Sequence, residues 1–211
     1  MTVRVLIADD HAAIRAGLRM LLETDDVEVV GEAADGASAI RNARALRPDV
    51  VLMDVRMPGT DGIEATSVIV AEGLAQVLVL TTFDLDEFVF GAVRAGAAGF
   101  LLKSATAESL QAAVRAVARG DGALAPEVTR RLLASVAAAP APSPSVNIAE
   151  LTQREAEVLT CLGNGMSNAA IAVELRISET TAKTHVSRIL AKLGAGSRMQ
   201  AAVLAREAGL A

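Results

Sequence analysis

Four residues at the ends of apolar runs carry the chemistry this chain could perform. Asp54 closes Asp49-Val50-Val51-Leu52-Met53, the Asp9-Asp10 pair closes Val5-Leu6-Ile7-Ala8, and Lys103 closes Gly99-Phe100-Leu101-Leu102. Runs this short, rich in Val, Ile and Leu and separated by helix-length segments, read as buried parallel strands of an open α/β sheet, whose ligands bind beyond the carboxyl ends of the strands. Several carboxylates gathered in one crevice repel one another and need a cation. Mg2+ suits them, being a hard ion satisfied by one or two carboxylates, a carbonyl, waters and a phosphate oxygen. A carboxylate can then act as nucleophile toward phosphorus while a lysine neutralises the arriving oxygens. The pattern describes a magnesium-assisted phosphoryl acceptor.

The elements that must position these residues alternate strand and helix five times. The patterns predict strands near residues 3–8, 27–33, 49–54, 76–81 and 98–102, and helices near 12–22, 36–46, 62–71, 85–95 and 106–119, which together form a doubly wound, five-stranded parallel sheet. Ala107, Leu110, Ala113, Val114 and Val117 recur at helical spacing, and Gly120-Asp121-Gly122 stops that run. Pro126 starts a further helical pattern with Leu132, Leu133 and Val136 on its apolar side. Ala137 to Ser145 is Pro, Ala and Ser with no charge, which reads as an extended linker. The expected division is residues 1–122, a linker segment 123–147, and a second domain 148–211.

The chain has 211 residues, enough for one domain and a smaller module, and is 52% hydrophobic with four Phe and no Trp or Tyr, so its cores must be aliphatic. The net charge of −5 is uneven: residues 1–147 hold 13 Lys+Arg against 19 Asp+Glu, and residues 148–211 hold 7 against 6. The second part is thus compatible with nucleic acid. A single cysteine, Cys161, excludes an intrachain disulfide, and it falls in an apolar helical stripe as a packing residue. With an N-terminus that runs directly into a strand, these features point to a cytoplasmic protein with no membrane partner.

The second part carries four short helical patterns. Thr152 and Glu155 form a capping box that opens a helix through about Leu162, with Ala156, Leu159 and Leu162 on its buried side. Ser167 or Asn168 caps the next, and Ser178 caps a third from Glu179 to Leu193. Joined by Arg176-Ile177-Ser178, the second and third form a helix-turn-helix. In the third, Val186, Ile189, Leu190 and Leu193 face inward and Lys183, Thr184, Ser187 and Arg188 face outward. A polar face with two cations, led by the positive end of a helix dipole, suits the major groove of double-stranded DNA.

Asp9-Asp10, Asp54, Met57-Pro58-Gly59 with Asp61-Gly62, Thr81 and Lys103 resemble the receiver domain of two-component response regulators, a flavodoxin-like fold. Leu151-Thr152-Gln153-Arg154-Glu155, Ser167-Asn168, Ile171-Ala172 and Lys183-Thr184-His185-Val186 resemble the LuxR-type DNA-binding domain. In that order they resemble the NarL/FixJ family of transcriptional regulators, which implies a non-enzyme activated by a sensor histidine kinase. The resemblance makes Asp54 the phosphoacceptor, Asp9 and Asp10 magnesium-binding acids, and Arg56 the donor of a backbone carbonyl to the metal. Thr81 would touch the phosphoryl group, Lys103 would pair with it, and Phe100 would stand at an aromatic switch position. The Thr81-Thr82 doublet leaves a one-residue ambiguity, which the count of positions to Lys103 in the family pattern resolves toward Thr81. Ala170 and Ala182 depart from the family, which usually has Glu and Val there. The resemblance further implies a homodimer on phosphorylation, with RNA polymerase as another candidate partner. Met199, Val203 and Leu204 on the last helix, Ser197 to about Glu207, could form a dimer surface or close their own domain.

Two other classes are weighed. A Mg-dependent phosphohydrolase resembling the haloacid-dehalogenase type would need a second acid two positions after Asp54, where Arg56 stands, and no specificity insertion is evident. A phosphorylation-independent DNA-binding regulator with an inert receiver-like half would need a defect despite Asp9, Asp10, Asp54 and Lys103 all being present.

Overall fold

A computed structural model describes residues 2–81, 91–121, 123–124 and 150–211. The chain divides into two compact units, Met1–Arg130 and Arg131–Ala211. In the first, strands β1 (Val3–Ala8), β2 (Val27–Ala33), β3 (Val50–Asp54), β4 (Gln76–Thr81) and β5 (Gly99–Leu102) alternate with helices α1 (Ala12–Leu22), α2 (Gly36–Leu46), α3 (Gly62–Ala71) and α4 (Ala107–Ala118). Residues 91–94, ahead of β5, are also helical. The expected helix near 85–95 otherwise lies outside the described residues, as do the helical pattern after Pro126, the linker and Thr82.

All strand pairs are parallel and the sheet order is β2-β1-β3-β4-β5-β6. The sixth strand, β6 (Ala123–Leu124), pairs Gly99 with Ala123 and Phe100 with Leu124. It adds a two-residue edge to the five strands expected, and at that length it has no periodicity to read. The order in which strands are added reverses from one side of the sheet to the other between β1 and β3, so a crevice opens beyond their carboxyl ends. Register sets its walls: Ala8 pairs with Met53, Asp54 with Leu80, and Thr81 with Leu102. Asp9 and Lys103 follow one residue after their strands.

Both faces of the sheet are covered. Val5, Ile7, Val50, Leu52, Leu78 and Leu101 pack with Leu22 of α1 and Leu110, Val114 and Val117 of α4. The alternate strand residues Leu6, Val51, Met53, Val77 and Phe100 are also fully buried, pointing to the opposite face. Asp61, part of the expected turn signal, caps α3 by accepting from the Glu64 N–H at 2.8 Å. Gly62 is demanded there by space: a Cβ would lie 1.9 Å from the Asp54 carbonyl oxygen. The same turn needs Gly59, whose φ is +75°.

The second unit consists of α5 (Gln153–Gly163), α6 (Asn168–Leu175), α7 (Glu179–Leu193) and α8 (Arg198–Glu207). Thr152, Ser167, Ser178 and Ser197 each cap the helix that follows by accepting a backbone N–H. Val158, Leu159, Leu162, Ile171, Val186 and Ile189 form the core, with Leu190 and Leu193 packed against it. Ala156, expected on the buried side of α5, is only half-buried; Val158 and Cys161 take the interior instead. Met199 is buried and Leu204 packs on the same core, so of the proposed dimer stripe those two close their own domain. Among the described residues no helix is long and apolar enough to cross a membrane.

One ion pair is unusual for its burial. Glu155 is 4% exposed, and its Oε2 accepts from the Thr152 N–H at 2.8 Å, the Thr152 hydroxyl at 2.9 Å and Lys192 Nζ at 2.7 Å. Lys192, the Thr152 N–H and the Thr152 hydroxyl hold the carboxyl at about 2, against the opposing effect of desolvation. A depressed carboxylate contributes stability that is complete above its unfolded value, near 4.5, and lost as pH falls through about 2. Thermal unfolding of the parent and Glu155→Gln chains between pH 6 and about 2 should therefore show the parent's advantage fading only across that acid window. A gap that persisted unchanged at the acid end would show that the carboxylate charge contributes nothing.

Candidate functional site

Asp9, Asp54 and Lys103 meet at the mouth of the crevice. Lys103 Nζ lies 2.7 Å from Asp9 Oδ2 and 2.8 Å from Asp54 Oδ2. Asp10, His11, Ile14, Asp54, Arg56, Thr81 and Lys103 line one cleft of about 340 Å³. All six sequence-predicted residues of the first domain other than Phe100 thus fall in one place, although Asp9 itself sits just behind the lining, 1% exposed. Phe100 is fully buried on β5, its register partner being Val79.

Asp9 is held at every polar atom. Its N–H donates to the Ala33 carbonyl at 3.1 Å, its own carbonyl accepts from Arg15 Nη1 at 2.8 Å, Oδ1 accepts from the His11 N–H at 2.8 Å, and Oδ2 takes Lys103. Asp10 is freer. It is half-buried, and His11 Nδ1 stands 2.6 Å from its Oδ1. Asp9, Asp10 and His11 bring their potential ligand atoms within 4.8 Å of one another.

The electrostatics of the pair oppose burial to the lysine charge. Burial raises the Asp54 carboxyl above its ordinary value; Lys103 opposes the rise and the Asp9 charge adds to it. Burial by itself pulls the Lys103 ammonium down, but hydrogen bonds to Asp54 and Asp9 outweigh that, and the net direction is up. Desolvation outweighs the one cation at Asp54, and the two anions outweigh desolvation at Lys103, so both values rise without contradiction. Lys103 is therefore a fixed positive charge at neutral pH, set where phosphate oxygens would arrive.

In the second unit, Lys183, Thr184, Ser187 and Arg188 are all exposed on α7, opposite the buried Val186 and Ile189. Ser178 caps its start, with an Oγ that accepts from the Thr181 N–H at 3.0 Å. Lys183 pairs with Glu179 one turn earlier at 3.2 Å, and Arg188 has no ion pair among the described residues. Arg176, at the end of α6, takes a left-handed φ of 54°, which makes the sharp turn between the two helices of the helix-turn-helix. Ala182 is fully buried on the inner side of α7 and Ala170 is half-buried.

Residues 5–115 match the response regulator receiver domain, and residues 149–205 match the bacterial regulatory proteins of the luxR family. The chain belongs to the NarL/FixJ family of response regulators. It is a transcriptional regulator and not an enzyme. The regulator is 42% identical over 211 residues to the uncharacterized transcriptional regulatory protein YxjL of Bacillus subtilis, covering 99% of this chain and 97% of YxjL. Among solved structures it is similar to the response regulator ChrA of a heme-sensing two-component system, at 42% identity and a TM-score of 0.57, covering 100% of this chain and 99% of ChrA. It is also similar to RcsB in a structure of two dimers bound to two parallel DNAs, at 27% identity and a TM-score of 0.58, covering 97% and 96%.

Sequence reasoning passed over two residues of the regulator's working parts. Arg15 reaches the Asp9 carbonyl from one helical turn along α1, and Lys192 reaches Glu155 across 37 residues of chain. Neither stands in a motif. Arg15 does lie on the inner side of α1, close to the acid pair in sequence, and that spacing was the only available signal.

Proposed function

We propose that this regulator is switched by transfer of a phosphoryl group from a sensor histidine kinase to Asp54, and that the phosphorylated form binds DNA as a homodimer. The observation that carries this reading is the Lys103 ammonium seated 2.7 and 2.8 Å from two buried carboxylates in a cleft that Asp10, Arg56 and Thr81 also line. In the transfer, an Asp54 oxygen bonds to phosphorus as the bond to the kinase histidine breaks, and the departing imidazole nitrogen takes a proton. Lys103 and the Thr81 hydroxyl meet the charge carried by the phosphoryl oxygens.

The donor set fits Mg2+: hard carboxylate oxygens from Asp9, Asp10 and Asp54, with the Arg56 backbone carbonyl at hand. When bound, the ion supplies charge neutralisation between these acids and the incoming phosphate. Asp10, whose side chain is bonded among the described residues only through His11, has an oxygen to turn toward it, whereas Asp9 is already held by protein.

A phosphoryl group at Asp54 redirects Lys103 and Thr81, and Phe100 lies on β5, which leads into Lys103 and pairs with the strand that ends at Thr81, so repacking there carries the signal outward. Lys183, Thr184, Ser187 and Arg188 then read DNA from α7. The DNA-bound RcsB dimers support a two-fold arrangement on paired half-sites. A kinase and DNA are met together in the cytoplasm, and from DNA the regulator would act on RNA polymerase.

The test is to measure phosphoryl uptake, sedimentation and DNA affinity together on the full chain, with and without a small phosphodonor and Mg2+. The expected result is one hydroxylamine-labile phosphoryl group per chain, a shift from monomer toward dimer, and tighter DNA binding in parallel, all lost with a chelator. Uptake without change in assembly or DNA affinity would sink the coupling. Turnover of many donor equivalents would indicate a hydrolase, and no uptake an inert receiver.

A further inference from the structure

We propose that Arg15 is the positioning residue of the acid pair, a strut that fixes Asp9 and thereby aims Asp10 at the metal. The inference rests on the reading of these acids as the Mg2+ site. Arg15 Nη1 donates to the Asp9 carbonyl at 2.8 Å while Nε donates to Glu32 Oε2 at 3.1 Å. Glu32 is itself tied down: its other oxygen takes Arg19 Nε at 2.8 Å, and its backbone carbonyl accepts from Asn42 on α2 at 2.8 Å. The guanidinium therefore spans from β2, through α1, to the residue at the tip of β1. A planar group with several fixed donors can make both bonds at once; an ammonium on a flexible stem cannot hold the same two directions.

The geometry matters because Asp9 and Asp10 are adjacent. The Asp9 carbonyl belongs to the peptide unit that leads into Asp10, so bonding it fixes the plane from which the Asp10 side chain departs. Asp10 has no comparable restraint of its own, its one side-chain polar partner among the described residues being the exposed His11 ring. Groups that orient metal ligands commonly change affinity 10–100-fold when removed.

Arg19 offers a built-in control. It shares Glu32 with Arg15, but its remaining bonds go to Glu23 at 2.9 Å and the Val29 carbonyl at 3.3 Å. It does not touch Asp9. Charge alone predicts that deleting either arginine favours a cation nearby; positioning predicts the opposite sign for Arg15 only.

Calorimetric titration of the full chain with MgCl2 tests this, comparing the parent with Arg15→Met, Arg15→Lys and Arg19→Met, each at a temperature where circular dichroism shows it folded. The expected result is an affinity loss of about tenfold for Arg15→Met, a smaller loss for Arg15→Lys, and unchanged or slightly tighter binding for Arg19→Met. Without metal, the backbone amide resonance of His11, which donates to Asp9 Oδ1 at 2.8 Å, should move in the Arg15 variants and stay in Arg19→Met. Should Arg15→Met fail to fold, Arg15→Lys carries the comparison. Binding by the Arg15 variants equal to or tighter than the parent overturns the inference and leaves the metal site standing. Absence of Mg2+ binding in the parent overturns both.

Discussion

An Asp54→Asn chain will take up no hydroxylamine-labile phosphoryl group and will fold as the parent does. The amide is nearly the same size as the carboxylate, but it is not a nucleophile at neutral pH, so uptake falls to nothing and not merely to a lower rate. The fold is insulated from the change for reasons visible around the residue. Asp54 ends β3, its backbone register with Leu80 does not involve the side chain, and Lys103 retains its 2.7 Å bond to Asp9. Burial already opposes the Asp54 charge, as its raised pKa records, so a neutral group costs little there. The unfolding free energy should change by no more than about 1 kcal/mol. Intact-mass measurement after exposure to phosphodonor, with denaturant unfolding alongside, decides the matter; undiminished labelling of the variant would move the acceptor elsewhere.

The second large effect belongs to α7. Lys183→Ala and Arg188→Ala should each weaken DNA binding without unfolding the domain, since both side chains are exposed and, among the described residues, Lys183 has only the surface pair with Glu179 to lose. A residue that reads a base edge costs about 1–3 kcal/mol on removal and relaxes specificity at one position. One that meets only phosphate weakens binding to all sequences and reduces the salt slope by about one. Titrating specific and scrambled duplexes at two or more salt concentrations separates the two roles. If both variants bound like the parent, α7 would not be the reader.

Strands β1, β3, β4 and β5 were legible because each is built on a short apolar run, which is what burial on both faces requires of a parallel strand, whereas β2, at the sheet edge, alternates valines with Glu28 and Glu32. Each ended within a residue of its expected position. The helices of the second unit were legible from their caps, whose Ser and Thr oxygens are chemical signatures independent of tertiary structure. Asp9, just behind the cleft, and Asp10, Asp54, Arg56, Thr81 and Lys103, which line it, could be brought together because topology fixes where strand ends go. What escaped shares a different character. Two-residue β6 owes its existence to β5 beside it. The Arg15 bond to Asp9 and the Lys192 bond to Glu155 are set by how helices pack, and Glu155 read in sequence only as the partner of Thr152. Ala156 was assigned inward by period but is only half-buried, while Val158, not assigned, faces the core beside Cys161, Leu159 and Leu162, which were.

The Glu155 clip bears on how the domain meets its target. Lys192 is in the last turn of α7, and its ammonium reaches both Glu155 and the Glu150 carbonyl, at 2.7 and 3.2 Å. With Ser178 closing the other end, the helix proposed to enter the groove is anchored at both termini before DNA arrives. Association then needs little ordering of the backbone, and its thermodynamic signature should be that of rigid docking: a modest heat-capacity change and an entropy dominated by released counterions, unlike that of a segment that folds on contact.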